Sequence, residues 1–497
     1  MVQSIVEAVA LHAQKEPEKF CIADGLNEWT YREYWEYISG YAKHLRNSGI
    51  KKGDCVVVRN SQDGNTLAAG MAIQLLGAVF VPLEKDVADS RILEIVETVG
   101  AKYYIAAKVT EMECPQDRMD EVLSYRDKEA DYAAFPFPKQ GDTAEILFTT
   151  GTTGASKGIE LLHKNVVAVA ENVIHGVEME KDNVELIPVP LSHSHGLRRY
   201  YANMLNGSSV VILKSIVFAQ AVFGSMRKYG VTAIDLVPAA LTGLLKLTGD
   251  ELEDYKDQIR YVQLGSAPIP ESDKETLRRL LPKSRLYNFY GTTESGCSCI
   301  FDFNAMRDKK NCIGKPTYHA KFAFVDENGE PFDATEDNPG FLACSGDMNM
   351  VGYYHAKDLN CEMMKNGYIQ TQDVAYSGED GLIYLLGRQG DVIETGGNKV
   401  SPMEIEEIAI NCEGVKDCVC IPVDSPVLGK EPKLFVVMEK EGIFDESVIY
   451  QYLQERLEAY KVPQIIEETD AIPRTYNGKI QRKKLIEQER KKSCRNY

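Results

Sequence analysis

Residues 147–158 read LFTTGTTGASKG, an apolar run carrying four threonines and three glycines and ending on Lys157-Gly158. Small residues give free backbone amides, threonines give hydroxyls and the lysine gives a cation, a combination that can wrap a polyphosphate. Counted from Gly151, Lys157 stands where a Walker loop, G-x-x-x-x-G-K-[ST], has its lysine. Ser156 stands where that loop has glycine, and Gly158 where it has the magnesium-binding hydroxyl. The stretch therefore predicts a strand running into a phosphate loop, but not the loop that serves γ-phosphate transfer. A second candidate lies far downstream. Lys479 follows Asn477-Gly478, a pair that favours a tight turn, so its ammonium would stand out from the chain.

The phosphate loop resembles that of the adenylate-forming superfamily, which includes acyl- and aryl-CoA ligases, amino-acid-activating domains of peptide synthetases, and luciferases; its pattern is roughly [YF]-T-S-G-T-T-G-x-P-K-G. Further matches occur in family order. PLSHSHG (190–196) is similar to the acid-pocket motif, LGSAP (264–268) to the adenine loop and NFYGTTE (288–294) to N-x-Y-G-x-T-E. YIQTQDV (368–374), GRQGDVIETGG (387–397) and PRTYNGKIQRKKL (473–485) resemble the ribose, hinge and terminal lysine motifs.

The resemblance implies an AMP-forming acid–thiol ligase with ATP, Mg2+ and coenzyme A. It implies that Thr149, Thr150, Gly151, Thr152, Thr153, Gly154 and Lys157 hold the β- and γ-phosphates, that Thr293 touches the α-phosphate, and that Glu294 holds magnesium. Gly265, Ser266, Ala267, Asn288, Tyr290, Gly291 and Thr292 would surround adenine and its phosphates, with Tyr290 stacked on the base. Asp373 would take the ribose hydroxyls with Arg388 close by, and Lys479 would neutralise the α-phosphate during adenylation. Asp391 matches the hinge, and Gly396, Gly397 and Lys399 would line the thiol tunnel. These roles suit the chemistry. A carboxylate is already ionised at neutral pH, so its attack on phosphorus needs alignment and charge neutralisation, not a general base. A thiol, with a pKa near 8.5, can then displace AMP.

The acid is less legible. Amino-acid-activating relatives carry F-D-x-S, whose Asp pairs with the substrate ammonium; Leu191-Ser192-His193-Ser194 has no acid, and an unpaired buried ammonium is costly. His193 matches the residue that gates the carboxylate. His195 is read as structural. Val237-Pro238-Ala239 and Gly265-Ser266 would supply apolar walls for a fatty or aromatic acid. Arg198 and Arg199 are expected to cover a helix start, with a second substrate carboxylate as the alternative; Phe289 stands where dicarboxylate-activating relatives tend to carry arginine. Two departures from the family pattern are Ser156 for proline, which frees φ, and Gln372 for the glycine before Asp373. Coenzyme A is the expected thiol and an acyl carrier protein the alternative, the basic tail KIQRKKLIEQERKKSCRNY suiting either. Readings of another kind are a P-loop ATPase or kinase, and a non-catalytic adenylate-binding relative.

These residues need a scaffold. With 497 residues, 44% apolar and 26% charged, the chain is long enough for two or more domains. A net charge of −18 argues against nucleic-acid or anionic-membrane partners. Twelve cysteines without a CxxC pair suggest reduced thiols in a cytoplasmic protein, since Cys297/Cys299 and Cys418/Cys420 suit zinc poorly. The N-terminus lacks a basic start and a clean apolar stretch, so it reads as an amphipathic helix, not a secretion signal. TLAAGMAIQLLGAVFVPL (66–83) approaches membrane-spanning length but reads as a buried helix followed by a buried strand. Thr30 with Glu33, and Ser401 with Glu404 behind Pro402, form capping boxes. Helix and strand alternate through DCVVVR and SRILEIVETVGAKYYIA, predicting an α/β fold with largely parallel sheets. The expected architecture is a large N-terminal domain of layered α/β sheets (1–390) and a small, mobile α+β C-terminal domain (391–497) with short strands CVCIPV and KLFVVMEK and a helix near 446–460.

Overall fold

Apolar, valine-rich runs such as those in Cys55–Arg59 and Val79–Leu83 have no polar face, so they are stable only with both sides covered. In the computed structural model they lie at the centre of a seven-stranded sheet. Its order is Gly352–Tyr353, Lys157–Leu162, Thr143–Thr149, Val79–Leu83, Cys55–Arg59, Tyr103–Ala106, Gln116–Arg118. The structure describes residues 2–108, 111–149, 157–216, 218–396, 398–425, 427–440, 442–474 and 480–493. The 66–83 segment folds as expected, as helix Gly64–Leu75 followed by strand Val79–Leu83. This helix is apolar nearly all round and buried, and among the described residues no helix is long and apolar enough to cross a membrane.

A second sheet of 15 strands faces the first across helices Tyr31–Asn47, Gly64–Leu75, His163–Gly176 and Ser194–Asn206, whose apolar faces share one core. Strands Phe20–Ala23, Ser209–Ile212, Val184–Ile187, Ala233–Leu236, Tyr261–Gly265 and Arg285–Tyr290 run parallel. Beyond Tyr290 the pairing becomes antiparallel, through Cys299–Asp302, Cys312–Pro316, Ile383–Arg388, Tyr368–Ser377, Gly340–Ser345 and Lys321–Val325. The expectation of largely parallel sheets thus fails for about half of this sheet, the strands that follow Tyr290. A parallel crossover needs about a dozen residues or more, and the loop 291–298 is too short to supply one.

A five-stranded sheet carries the rest: Asn398–Val400, Ile393–Thr395, the hairpin Val415–Ser425/Gly429–Met438, and Ile465–Glu468. The two short strands expected here are the inner parts of that longer hairpin. One face has its own core around Ile405, Leu434, Leu453 and Ile466; the other takes Leu485 of helix Arg482–Ser493 against Phe435. The Thr30–Glu33 capping box is complete. At the second, Ser401 accepts from the Glu404 amide, but the Glu404 carboxylate pairs with Lys461 at 3.0 Å. The lysine outcompetes the N-cap amide, so only half of that box forms.

One buried acid shapes the pH dependence of stability. Glu145, on the strand leading to the phosphate loop, is 3% exposed and accepts from Tyr201 Oη at 2.7 Å. Burial raises its pKa from 4.5 to about 7, against the opposing hydrogen bond from Tyr201 and the charge of Arg198. Since the folded state holds this proton more tightly, the contribution is full below about pH 4.5 and is lost as pH rises through 7. Glu145→Gln keeps the acceptor for Tyr201 and removes the titration. Relative to wild type it should gain about 3 kcal/mol between pH 5 and pH 8.5. Chemical denaturation at both pH values checks this; equal gains at the two would exclude a shifted Glu145.

Candidate active site

The phosphate loop is held at its base by a β-hairpin. Thr149 and Lys157 are opposite one another, the last register pair between Thr143–Thr149 and Lys157–Leu162. Thr150, Gly151, Thr152, Thr153 and Gly154 lie outside the described residues. Gly158 has a packing reason: a Cβ there would stand 3.0 Å from Ile146 Cγ2 and 3.1 Å from Phe148 Cζ. The position that holds a hydroxyl in a Walker loop is here a strand residue packed against an aromatic ring.

Lys157 reaches toward Tyr353, its Nζ lying 5.5 Å from the ring centroid, and Tyr353 Oη donates to Glu294 Oε1 at 2.9 Å. Tyr353 was not singled out from sequence. It pairs against Ile159 on the strand that begins with Lys157, and so links the phosphate cation to the metal candidate. Its signal was an aromatic pair, Tyr353-Tyr354, directly after Gly352, which is common in strands.

The loop 291–296 is folded tightly. A Cβ on Gly291 would stand 1.8 Å from the Gly296 carbonyl, so only glycine fits. The Thr292 amide donates to Ser295 Oγ (3.3 Å) and the Ser295 amide to Thr292 Oγ1 (3.1 Å). Thr293 Oγ1 lies 3.4 Å from Ser194 Oγ, one residue past His193. The metal and α-phosphate candidates are thereby brought beside the acid-pocket motif.

Asp373 is 4% exposed and forms the other end of the site. It sits opposite Arg388 in the strand pair, accepts from Arg388 Nε at 3.0 Å, and also accepts from Tyr290 Oη. The hydroxyl of Tyr290 is thus committed to the ribose candidate, leaving its ring for stacking. Gln372 has φ +62°, the left-handed conformation for which the family pattern has glycine. Asn288 lies beside Leu264 at the ends of parallel strands, with Gly265, Ser266 and Ala267 just beyond. Ligands of open α/β sheets bind at such carboxyl ends.

His193 Nε2 lies 2.6 Å from Glu84 Oε1, a carboxylate directly after strand Val79–Leu83. The hydrogen bond from His193 holds the Glu84 carboxyl below its ordinary range. Glu84 was missed because a single acid after a strand has no distinctive spacing. Gly196 allows close approach: a Cβ would stand 2.4 Å from the Pro190 carbonyl. His195 is structural, as expected, and also bridges two elements. Its Nδ1 meets Ser266 Oγ at 2.9 Å and its Nε2 meets the fully buried Asp235 at 2.9 Å, where Gln263 Nε2 also donates. The pocket wall at Ser266 is therefore polar behind its surface, where an apolar wall was expected.

Both arginine readings are overturned. Arg198 and Arg199 are 7% and 0% exposed, and neither covers a helix start. Arg199 donates to Glu185 at 2.7 Å, while Arg198 donates to the carbonyls of Thr292 (3.1 Å) and Thr293 (2.8 Å). Protein partners occupy both, so neither is open to a substrate carboxylate.

At the expected hinge, the Asp391 amide donates to the Arg388 carbonyl at 2.9 Å. Burial raises the Asp391 pKa, opposed by Arg482, whose Nε is 3.8 Å away. Arg482 also forks onto Glu406. Lys399 Nζ donates to the Pro339 carbonyl at 3.3 Å, and Gly396 has φ +55°. Gly397 and Lys479 lie outside the described residues. The chain on either side of 475–479 is drawn together by an Arg474–Ile480 bridge and by the Gln481 amide on the Pro473 carbonyl at 2.8 Å.

Comparison with known proteins agrees with this layout. The AMP-binding enzyme family profile matches residues 9–354, and the profile of the AMP-binding enzyme C-terminal domain matches 404–479. The 2-succinylbenzoate–CoA ligase of Bacillus velezensis is 28% identical over 96% of both chains, and that of Bacillus cereus is 26% identical over 94% of this chain and 95% of its own. Among solved structures, ATP-bound MatB from Rhodopseudomonas palustris superposes with a TM-score of 0.88 at 21% identity, covering 98% of this chain and 99% of its own. The o-succinylbenzoate CoA synthetase of Bacillus subtilis, in complex with its acyl-adenylate, gives 0.83 at 24% identity, covering 96% and 97%. With motifs, sheet order and both profiles in agreement, the chain belongs to the AMP-binding enzyme family.

Proposed function

We propose that this protein activates a carboxylic acid, aromatic or fatty, with ATP to form an acyl-adenylate and pyrophosphate, and then transfers the acyl group to coenzyme A with release of AMP. The observation that carries this reading is the chain of contacts that runs from Lys157 through Tyr353 to Glu294, with its neighbour Thr293 against Ser194 beside His193. Candidate ligands for the leaving phosphates, the α-phosphate and the acid are thereby grouped, and Asp373 with Arg388 and Tyr290 supplies a candidate ribose site. The likeness to 2-succinylbenzoate–CoA ligases supports an aromatic acid and coenzyme A over an acyl carrier protein.

Each residue has a definite task in this reading. Thr149, Lys157 and the threonines of 150–153 grip the phosphates that leave as pyrophosphate. Thr293 aligns the α-phosphate, and His193, steadied by Glu84, closes the acid end. Asp373 and Arg388 hold the ribose, with Tyr290 and residues 265–267 around adenine. The Glu294 carboxylate fits Mg2+: one oxygen accepts from Tyr353, and among the described residues the other has no hydrogen bond. Among the described residues no three His, Cys, Asp or Glu side chains cluster as a metal cage. Mg2+ commonly binds one or two carboxylates plus substrate phosphates. When bound, it would neutralise phosphate charge. Residues 1–390 form the adenylation core and 391–497 the mobile domain that brings Lys479 and then Lys399 to the cleft. The cytoplasm suits the free thiols, eleven of which are unpaired among the described residues.

A panel of acids scored by ATP–pyrophosphate exchange, with and without coenzyme A, tests the reading. At least one aromatic or fatty acid should support exchange without coenzyme A and yield a thioester with it. Exchange with none would instead favour an adenylate-binding protein.

A further inference from the structure

We propose that Arg198 is a positioning residue for adenylation, clamping the loop that carries Thr293 and Glu294 to the helix that carries the acid-pocket motif. The inference rests on the reaction proposed above and assigns it a residue outside the cleft. Helix Ser194–Asn206 begins one residue after His193, and its buried faces pack against the central core. Arg198 lies one turn in, and its guanidinium points away from the cleft into the loop 291–296. One fork nitrogen donates to the Thr292 carbonyl and the other to the Thr293 carbonyl. The next carbonyl, Glu294, accepts from the Met350 amide at 2.8 Å. Three consecutive carbonyls are thus tied down, and with them the backbone that carries the Thr293 hydroxyl and the Glu294 carboxylate.

A purely structural arginine in this core would need an acid partner, because an unpaired buried charge is costly. Its neighbour shows that arrangement: Arg199 donates to Glu185, both side chains fully buried. Arg198 instead donates to two main-chain carbonyls of the loop that carries Thr293 and Glu294. Charge-assisted bonds of this kind are short and directional, and a fork fixes orientation as well as position. A fixed positive charge directly behind Thr293 also favours the negative charge that develops at the α-phosphate. Because Ser194 Oγ meets Thr293 Oγ1 from the same helix, the acid end and the phosphate end of the site are set by one rigid element.

The test uses the full-length protein with Arg198→Met, Arg198→Lys and, as a stability control, Arg199→Met. For Arg198→Met we expect an adenylation rate lowered about 100-fold in ATP–pyrophosphate exchange, with the half-saturating Mg2+ concentration raised. AMP affinity, measured by direct binding, should change less than about threefold. Arg198→Lys keeps the charge but loses the fork, so it should lose about tenfold and keep most of its stability. Arg199→Met should lower the melting temperature without changing the rate of the folded fraction. If Arg198→Met does not fold, Arg198→Lys decides alone. A wild-type rate and Mg2+ dependence in the folded lysine variant, or a loss accounted for by unfolded protein, would overturn the assignment. Absence of exchange in the wild-type enzyme would defeat the proposed reaction itself, a different result.

Discussion

Lys479→Ala should abolish most adenylate formation while sparing the second step. The expected loss in ATP–pyrophosphate exchange is roughly 10²–10³-fold, the usual cost of removing one transition-state donor. Thioester formation from chemically prepared acyl-adenylate should stay within about threefold of wild type. The reason is a division of labour across the chain. In the proposed reaction Lys157 and the threonines around it hold the phosphates that leave, but the charge that develops during attack sits on the α-phosphate. Thr293 supplies one hydroxyl there, and a cation must come from elsewhere. Lys479 follows Asn477-Gly478 in a stretch whose ends are drawn together at Arg474 and Ile480. An ammonium presented from that stretch can enter another domain's site. Comparable losses in both steps would show that Lys479 maintains the fold instead.

Asp391→Pro should have the opposite profile. Adenylation is expected to remain within a few-fold of wild type, while single-turnover thioester formation falls by about 100-fold or more. In the proposed reaction the C-terminal part rotates about a hinge before the second step, and hinges are short segments that absorb a large φ/ψ change. Proline fixes φ and removes the amide that Asp391 now donates to Arg388. It also removes the carboxylate facing Arg482, which is itself anchored on Glu406. Asp391→Asn, which keeps the amide and φ freedom, separates these causes and should retain most thioester formation. Unimpaired thioester formation by the proline variant would place the pivot elsewhere.

How far the fold could be read depended on whether a signal was local. The helix–strand alternation up to Tyr290 follows from periodicity and buried β-branched runs. The antiparallel half of the large sheet is set by a connection too short for a crossover, and no residue type announces that. The Thr30–Glu33 box forms because one Glu33 oxygen meets Arg126 while the other still reaches the Thr30 amide, whereas Glu404 was taken by Lys461, a partner 57 residues away. The site divides the same way. The phosphate loop, Gly291-Thr292-Thr293-Glu294 and Asp373 stand in ordered motifs. Tyr353 and Glu84 act through single contacts with no spacing to reveal them. Arg198 and Arg199 look alike in sequence, and only the fold shows that one meets an acid and the other two carbonyls. Gln372 shows why a motif can survive a substitution: a glutamine adopts the left-handed conformation that glycine would take more cheaply.

The central claim is that an acid attacks the α-phosphorus of ATP and then leaves AMP to a thiol. The most direct measurement labels both carboxyl oxygens of an accepted acid with heavy oxygen and follows the label by mass spectrometry through a full turnover with coenzyme A. Attack at the α-phosphorus forms the acid–phosphorus bond, and the thiol then breaks the acyl carbon–oxygen bond. One heavy oxygen should therefore appear in AMP, one should remain in the thioester, and pyrophosphate should be unlabelled. Heavy oxygen in inorganic phosphate, with ADP as the nucleotide product, would contradict this account and return the loop around Lys157 to γ-phosphate chemistry.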